Sequence, residues 1–133
     1  MSKWVDAGEN RVANILFGST AVDATLYMGI YTSPTTEPGE TAVVADLTEP
    51  STGGYARQTL TRGSWTVSGS AASYAQQTFS ASGASWGACY GYFVCTSSAG
   101  TAGVLLYVEQ FANGPYSIGD GDSVKVTPSV SVA

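Results

Sequence analysis

The chain has 133 residues, enough for one domain with a hydrophobic core of its own. Hydrophobic residues make up 44%, as in folded proteins, whereas charged residues make up only 11%, less than half the usual ~25%. The formal net charge is −5 and the only cations are Lys3, Arg11, Arg57, Arg62 and Lys125, which excludes nucleic acid as an expected partner because phosphate neutralisation needs clustered Lys and Arg.

The start, MSKWVDAGEN, has no apolar h-region, and no apolar run approaches the ~20 residues of a membrane span, so neither a signal peptide nor a membrane partner is expected. Synthesis in a cytoplasm follows. Ala7–Phe17 shows a helical period, with Val12, Ile15 and Leu16 on one face, Asp6 and Glu9 as a capping-box-like pair, and Gly18 at the C′ place. A helix this short is not stable alone, so it docks either on its own sheet or on a neighbouring subunit. Residues 1–24 are read as an N-terminal arm and residues 25–133 as a β-sandwich.

Thr25–Tyr31, TLYMGIY, is the first long strand. The connection Thr32–Gly54 carries Pro34, Pro38 and Pro50, and Val43, Val44 and Leu47 are expected to pin its middle to the body. Tyr55–Thr61, Ser64–Ser68 and Ser73–Phe79 read as shorter, more polar strands. Ser85–Cys95, SWGACYGYFVC, and Gly103–Phe111, GVLLYVEQF, flank the turn-like Thr96–Ala102 and predict a long β-hairpin. Strict alternation puts Ala88, Tyr90, Tyr92 and Val94 on one face and Cys89, Phe93 and Cys95 on the other. In the answering strand it puts Leu105, Tyr107 and Phe111 opposite Val104, Leu106 and Val108. Both faces are apolar, so both must be covered, by a second chain or by the fold's own loops.

Pro115–Ile118 is a short strand, and Gly119–Asp122 a turn. The closing segment alternates cleanly, with Val124, Val126, Val130 and Val132 facing one way and Pro128 in register, which confines it to an edge or a bulge. Eight short strands with turn signals between them predict an all-β fold, an antiparallel β-sandwich of jelly-roll type with one short N-terminal helix. Cys89 and Cys95 share one predicted strand, about 20 Å apart at ~3.3 Å per residue, and are expected to be free thiols.

From Gly63 through Val108 there is no Asp, Glu, Lys or Arg, while Trp65, Tyr74, Phe79, Trp86, Tyr90, Tyr92, Phe93 and Tyr107 all fall there. Interface cores are poor in charge and rich in aromatic residues, so this run is read as a subunit contact. A neutral surface of Ser, Thr and Gln over a core of aromatics is the other reading.

Catalytic motifs do not emerge. The chain has no histidine, which removes Ser-His-Asp and Cys-His arrangements. The cysteines have no charged neighbour in sequence to activate them. Gly53-Gly54 and Gly119–Gly121 lack the Lys-Ser/Thr of a phosphate loop. Asp120, Asp122 and Glu109 together have oxygen ligands for calcium, but Gly-Asp-Gly-Asp is ordinary turn chemistry. No enzyme activity, metal or cofactor is expected. Trp65 and Trp86 leave an aromatic sugar-binding face open as a further reading.

Taken in order, Leu26–Tyr31 LYMGIY, Thr48–Leu60 TEPSTGGYARQTL, Trp65, Phe79, Tyr90–Val94 YGYFV and Gly119–Pro128 GDGDSVKVTP resemble the small jelly-roll virion proteins of tailed bacteriophages. That family comprises capsid cement or decoration proteins and their tail-associated relatives. The resemblance implies a sandwich that forms a homo-oligomer, dimer or trimer, docks on the major capsid protein and stiffens the head from the capsid exterior. A tail or fibre-base component is the alternative. The candidate interface residues are Trp4, Val12, Ile15, Leu16, Phe17, Arg57, Trp86, Tyr90, Tyr92 and Tyr107. Arg57, after the Gly53-Gly54 turn and Tyr55, is placed to clamp a carboxylate.

Overall fold

The computed structural model describes residues 2–131. Its elements run β1 (Ser2–Trp4), α1 (Asp6–Phe17), β2 (Thr25–Tyr31), a 3-10 turn (Val44–Asp46), β3 (Gln58–Thr61), β4 (Thr66–Ser68), β5 (Ala71–Ser73) and β6 (Gln77–Ser80). They continue with β7 (Gly87–Cys89), β8 (Gly91–Cys95), β9 (Leu105–Gln110), β10 (Tyr116–Ile118), β11 (Ser123–Val126) and β12 (Ser129–Ser131). The main sheet is five-stranded and antiparallel, in the order β1-β9-β8-β2-β3. Three ribbons, β7 with β10, β6 with β11, and β4-β5-β12, form the facing layer. The fold is the expected antiparallel β-sandwich with a short N-terminal helix, its second layer divided into ribbons instead of one continuous sheet.

Every residue of β8 is buried, and the strand separates two cores. Tyr92 and Val94 point into the sandwich, among Met28, Ile30, Leu60, Phe79, Trp86, Ile118, Val124 and Val126. Phe93 and Cys95 point the other way, among Val5, Tyr31, Ala42, Val44, Leu47, Leu105 and Val108. That second face is roofed by the start of the chain and by the long connection between β2 and β3. Ala42, Val44 and Leu47 pin the connection down, while Val43, expected to help, is 46% exposed. The fold's own segments therefore cover both sides of the hairpin. At roughly 1.5–3 kcal/mol per large apolar side chain before entropy, this burial dominates the stability of the sheet.

The charge-free run serves the same end. Its Phe79, Trp86, Tyr92, Phe93 and Tyr107 are buried, and its exposed positions are Ser, Thr, Gly, Ala and Gln apart from Val67. Core packing, with a neutral polar surface, accounts for the missing charge within the chain.

Strict alternation fails at two points. The strand expected over Ser85–Cys95 is two strands, because the chain passes between layers at Tyr90. There the Tyr90 N–H donates to Tyr31 O (2.9 Å) and Phe111 N–H donates to Tyr90 O (2.8 Å). Cys89 thus falls in the sandwich core and Cys95 in the other one, both as buried free thiols whose pKa burial raises. In β9 a bulge lets Leu106 and Tyr107 together oppose Val94, so Leu106 shares a face with Tyr107 and Leu105 with Val108.

The closing strand is broken too. β11 pairs with β6 and β12 with β5, and between them Pro128, with no N–H to give, accepts from Tyr74 N–H at 3.0 Å. Val132 lies outside the described residues. Ala71–Ser73 was not foreseen as a strand, because three small side chains carry no alternation.

The N-terminal residues belong to the sandwich. β1 is an edge strand of the main sheet, Trp4 stacks edge-on against Tyr107 at 5.7 Å, and its Nε1–H donates to Ser131 O at 2.8 Å. Val5 is fully buried, and its N–H donates to Leu106 O at 3.2 Å. The helix starts one residue early, at Asp6, without a side-chain cap, and Gly18 has φ −106°, so the expected capping box and left-handed C′ residue are not formed. Gly8 is the one buried helical residue, and it lets the helix lie directly on the bulge: a Cβ there would stand 2.7 Å from Leu106 Cα and collide with the Leu106 carbonyl.

Gly8→Ala is expected to destabilise the domain by about 1–3 kcal/mol despite alanine's better helix propensity, because the obstructing atoms are backbone. Gly39→Ala, with nothing within 4 Å of the added methyl, is the control. Equal urea midpoints for both variants would remove the bulge–helix contact from this account.

A pH dependence follows from the buried phenols. Burial pushes Tyr31 up to about 12, with the negative charges of Glu37 and Glu109 adding to it, and burial likewise raises Tyr55 and Tyr92. Above pH 10.0, the ordinary tyrosine value, the unfolded chain releases protons that the folded chain keeps, so stability falls as pH rises. Urea unfolding at pH 8 and about pH 11 measures the fall. Tyr31→Phe is expected to reduce it and to gain about 1 kcal/mol at neutral pH, since the Tyr31 hydroxyl is buried without a hydrogen-bond partner.

Candidate interaction surface

The helix divides the apolar residues of the N-terminal segment into two sets. Val12 and Ile15 are half-buried and line an apolar groove of ≈ 300 Å³ together with Trp4, Leu26, Trp65, Val94, Leu106 and Val130. Leu16 is 67% exposed and Phe17 88%. The groove-lining Val22 and Val67 are 51% and 72% exposed. Arg11 holds this end in place: its Nε–H donates to Asp23 Oδ2 (2.9 Å) and its Nη2–H to Asp23 Oδ1 (2.6 Å). That hydrogen bonding raises the Arg11 pKa and ties the helix to the segment leading into β2.

Arg57 lies elsewhere and faces inward. Its side chain is 2% exposed and forks onto Glu49, Nε–H to Oε1 at 2.9 Å and Nη2–H to Oε2 at 2.7 Å. Nη1 donates to Ser97 O (2.8 Å) and Nη2 to Gly100 O (2.7 Å), both in the β8–β9 turn, and the guanidinium lies 5.3 Å from the Phe93 ring centroid. Tyr55 extends the network. Its hydroxyl donates to Glu49 Oε1 (2.6 Å) and accepts from Ile30 N–H (2.9 Å), an approach open because residue 29 is glycine: a Cβ there would stand 2.6 Å from that oxygen. The carboxylate clamp expected of Arg57 is thus made, but to the chain's own Glu49.

Of the other candidate contact residues, Trp86 is buried, with Nε1–H donating to Thr52 O (2.8 Å). Tyr92 and Tyr107 are sandwich core, and Tyr90 packs half-buried on the opposite core. A side chain taken up in the chain's own core is not available to a partner, which removes Arg57, Trp86, Tyr92 and Tyr107 from the exposed surface. Leu16 and Phe17 remain on it, with Val12 and Ile15 in the adjoining groove. Val22 and Val67 were missed, being single valines among small and polar neighbours; only the fold brings them beside the helix. Trp86, being buried, offers no sugar-stacking face, while half-buried Trp65 packs edge-on against Tyr74 (ring centroids 5.2 Å). Asp120 and Asp122 act as turn acceptors, for Gly83 N–H and Gly119 N–H, each at 2.8 Å.

These features define an all-β sandwich domain, braced by one buried Arg–Glu clamp and carrying an apolar face at its helix end. Residues 3–131 match the family described as Podophage GP4 fiber I protein gp80, and the chain belongs to that family. It is a bacteriophage virion structural protein. A comparison with curated proteins found no match.

Arg57→Met is expected to cost about 3–5 kcal/mol, because it leaves Glu49 without its counter-charge and two turn carbonyls without the guanidinium donors. Arg57→Lys should recover only part, since an ammonium cannot serve both carboxylate oxygens and both carbonyls. Chemical denaturation of the two variants checks the order. A lysine variant as stable as the parent would contradict the clamp.

Proposed function

We propose that the chain is a non-enzymatic building block of a phage tail fibre or of the fibre's base, joined to sister copies through the face formed by Leu16, Phe17, Val22 and Val67. The observation that carries the reading is the family match across residues 3–131, whose described member is a fibre protein. The exposed apolar side chains at the helix end and on the groove rim support a subunit contact, since a contact would remove their apolar surface from water. A fibre role takes precedence over the capsid cement role, and the major capsid protein gives way as partner to the chain itself and other tail proteins. The two roles differ in where the chain sits on the particle, and purified heads and tails separate them.

Mass spectrometry of separated heads and tails is expected to find the chain with the tails; recovery with tail-free heads would overturn the fibre assignment. In sedimentation at micromolar concentration the protein should associate, and Phe17→Ser should shift it to the monomer. The thermal midpoint of that variant should barely move, because a side chain this exposed contributes within about 0.5 kcal/mol to folding. A wild-type monomer at all concentrations would remove the sister-copy contact.

A further inference from the structure

The facing layer of the sandwich has two strands with an unpaired edge, β10 and β11. β10 pairs only with β7 and β11 only with β6, so among the described residues each keeps one edge with no strand beside it. The Gly119–Asp122 turn joins the two strands, yet they do not pair with each other. Instead they border an open cleft of ≈ 710 Å³, and the main-sheet residues Tyr92 and Glu109, with Phe111 just beyond β9, line it from below. Tyr92 is buried there, whereas Glu109 and Phe111 stay partly exposed at the cleft floor.

We propose that an extended segment of a neighbouring virion protein adds as a strand in this cleft, between β10 and β11. The proposal rests on the virion role and names the kind of partner that role requires. An unpaired strand edge presents a row of N–H and C=O groups at the spacing another strand needs, and strand addition is a recurrent way to recognise a peptide. The two edges, 3 and 4 residues long, suit a segment of similar length, about 10–13 Å.

Side chains at the cleft restrict which segment fits. Phe111 and Tyr116, with ring centroids 5.2 Å apart, present apolar surface to one side. Lys125 projects from β11, exposed, and like Arg62 has no carboxylate partner among the described residues, whereas Lys3, Arg11 and Arg57 are each paired. A lysine on a bare edge disfavours indiscriminate pairing and selects a strand with a carboxylate opposite it. The partner segment is therefore extended, with an apolar residue toward Phe111 and an acidic residue beside Lys125.

Hydrogen–deuterium exchange on the isolated protein and on purified phage particles tests the proposal. Amides of residues 116–118 and 123–126 should exchange about tenfold or more slowly in the particle. Lys125→Glu should lower the copy number per particle by about tenfold, and Lys125→Arg should retain it, with thermal midpoints of both near that of the parent. A chain present in the particle with both edges exchanging as fast as in isolation overturns strand addition and leaves the fibre assignment standing. A chain absent from the particle overturns both. Protection that grows with concentration in the isolated protein identifies a second copy as the occupant and overturns a different protein in that place.

Discussion

A sheet that is apolar on both faces must be covered on both, and the rest of this molecule is arranged to meet that demand. β8 has no solvent-facing residue. The three ribbons close one face; the start of the chain and the connection between β2 and β3 close the other. Neither cover is a continuous sheet. Each is assembled from short segments whose backbone groups must be satisfied locally, which explains why so many small strands accompany one well-formed sheet.

The clamp at Arg57 is what makes a long irregular cover workable. Connections of this length are ordinarily mobile, yet here Glu49 near its end is held by a buried guanidinium that also grips the β8–β9 turn. Five N–H donors in a fixed fork can serve a carboxylate and two carbonyls at once, and only arginine has them. With Tyr55 carrying the network to the backbone of β2, loop, strand and hairpin turn are locked to one another. The clamp removes one of five cations from the surface of a chain that already carries a net charge of −5, and among the exposed residues Ser and Thr outnumber the charged ones.

For a virion structural protein this division of labour is apt. All the aromatic residues but Phe17 and Tyr116 are buried or pack against a core, so attachment falls to features that the fold leaves unfinished: the apolar side chains at the helix end and the two bare strand edges. One is a side-chain surface and the other a backbone surface. They differ in what they can bind, because an apolar rim tolerates many partners whereas a strand edge with a single lysine selects by register and charge.

Residue order alone settled some of the local elements. The period of Ala7–Phe17 set a helix that the structure extends by one residue, and the runs Ser85–Cys95 and Gly103–Phe111 set the central hairpin, although the first of them is two strands. The cysteine spacing foretold free thiols, and the many short strands foretold an antiparallel sandwich. Which face each side chain takes was not legible past Tyr90 or Leu106, because a layer crossing or a bulge reverses a two-residue period without leaving a mark in composition. The partner of Arg57, eight residues before it and across a loop, depended on where that loop lies. Nor could the sequence distinguish aromatics that pack inside from aromatics that meet a neighbour, since both are uncharged, apolar and alternating. That choice belongs to the tertiary structure: burial is a property of what other segments of the chain come to lie on top, and those contacts are long-range.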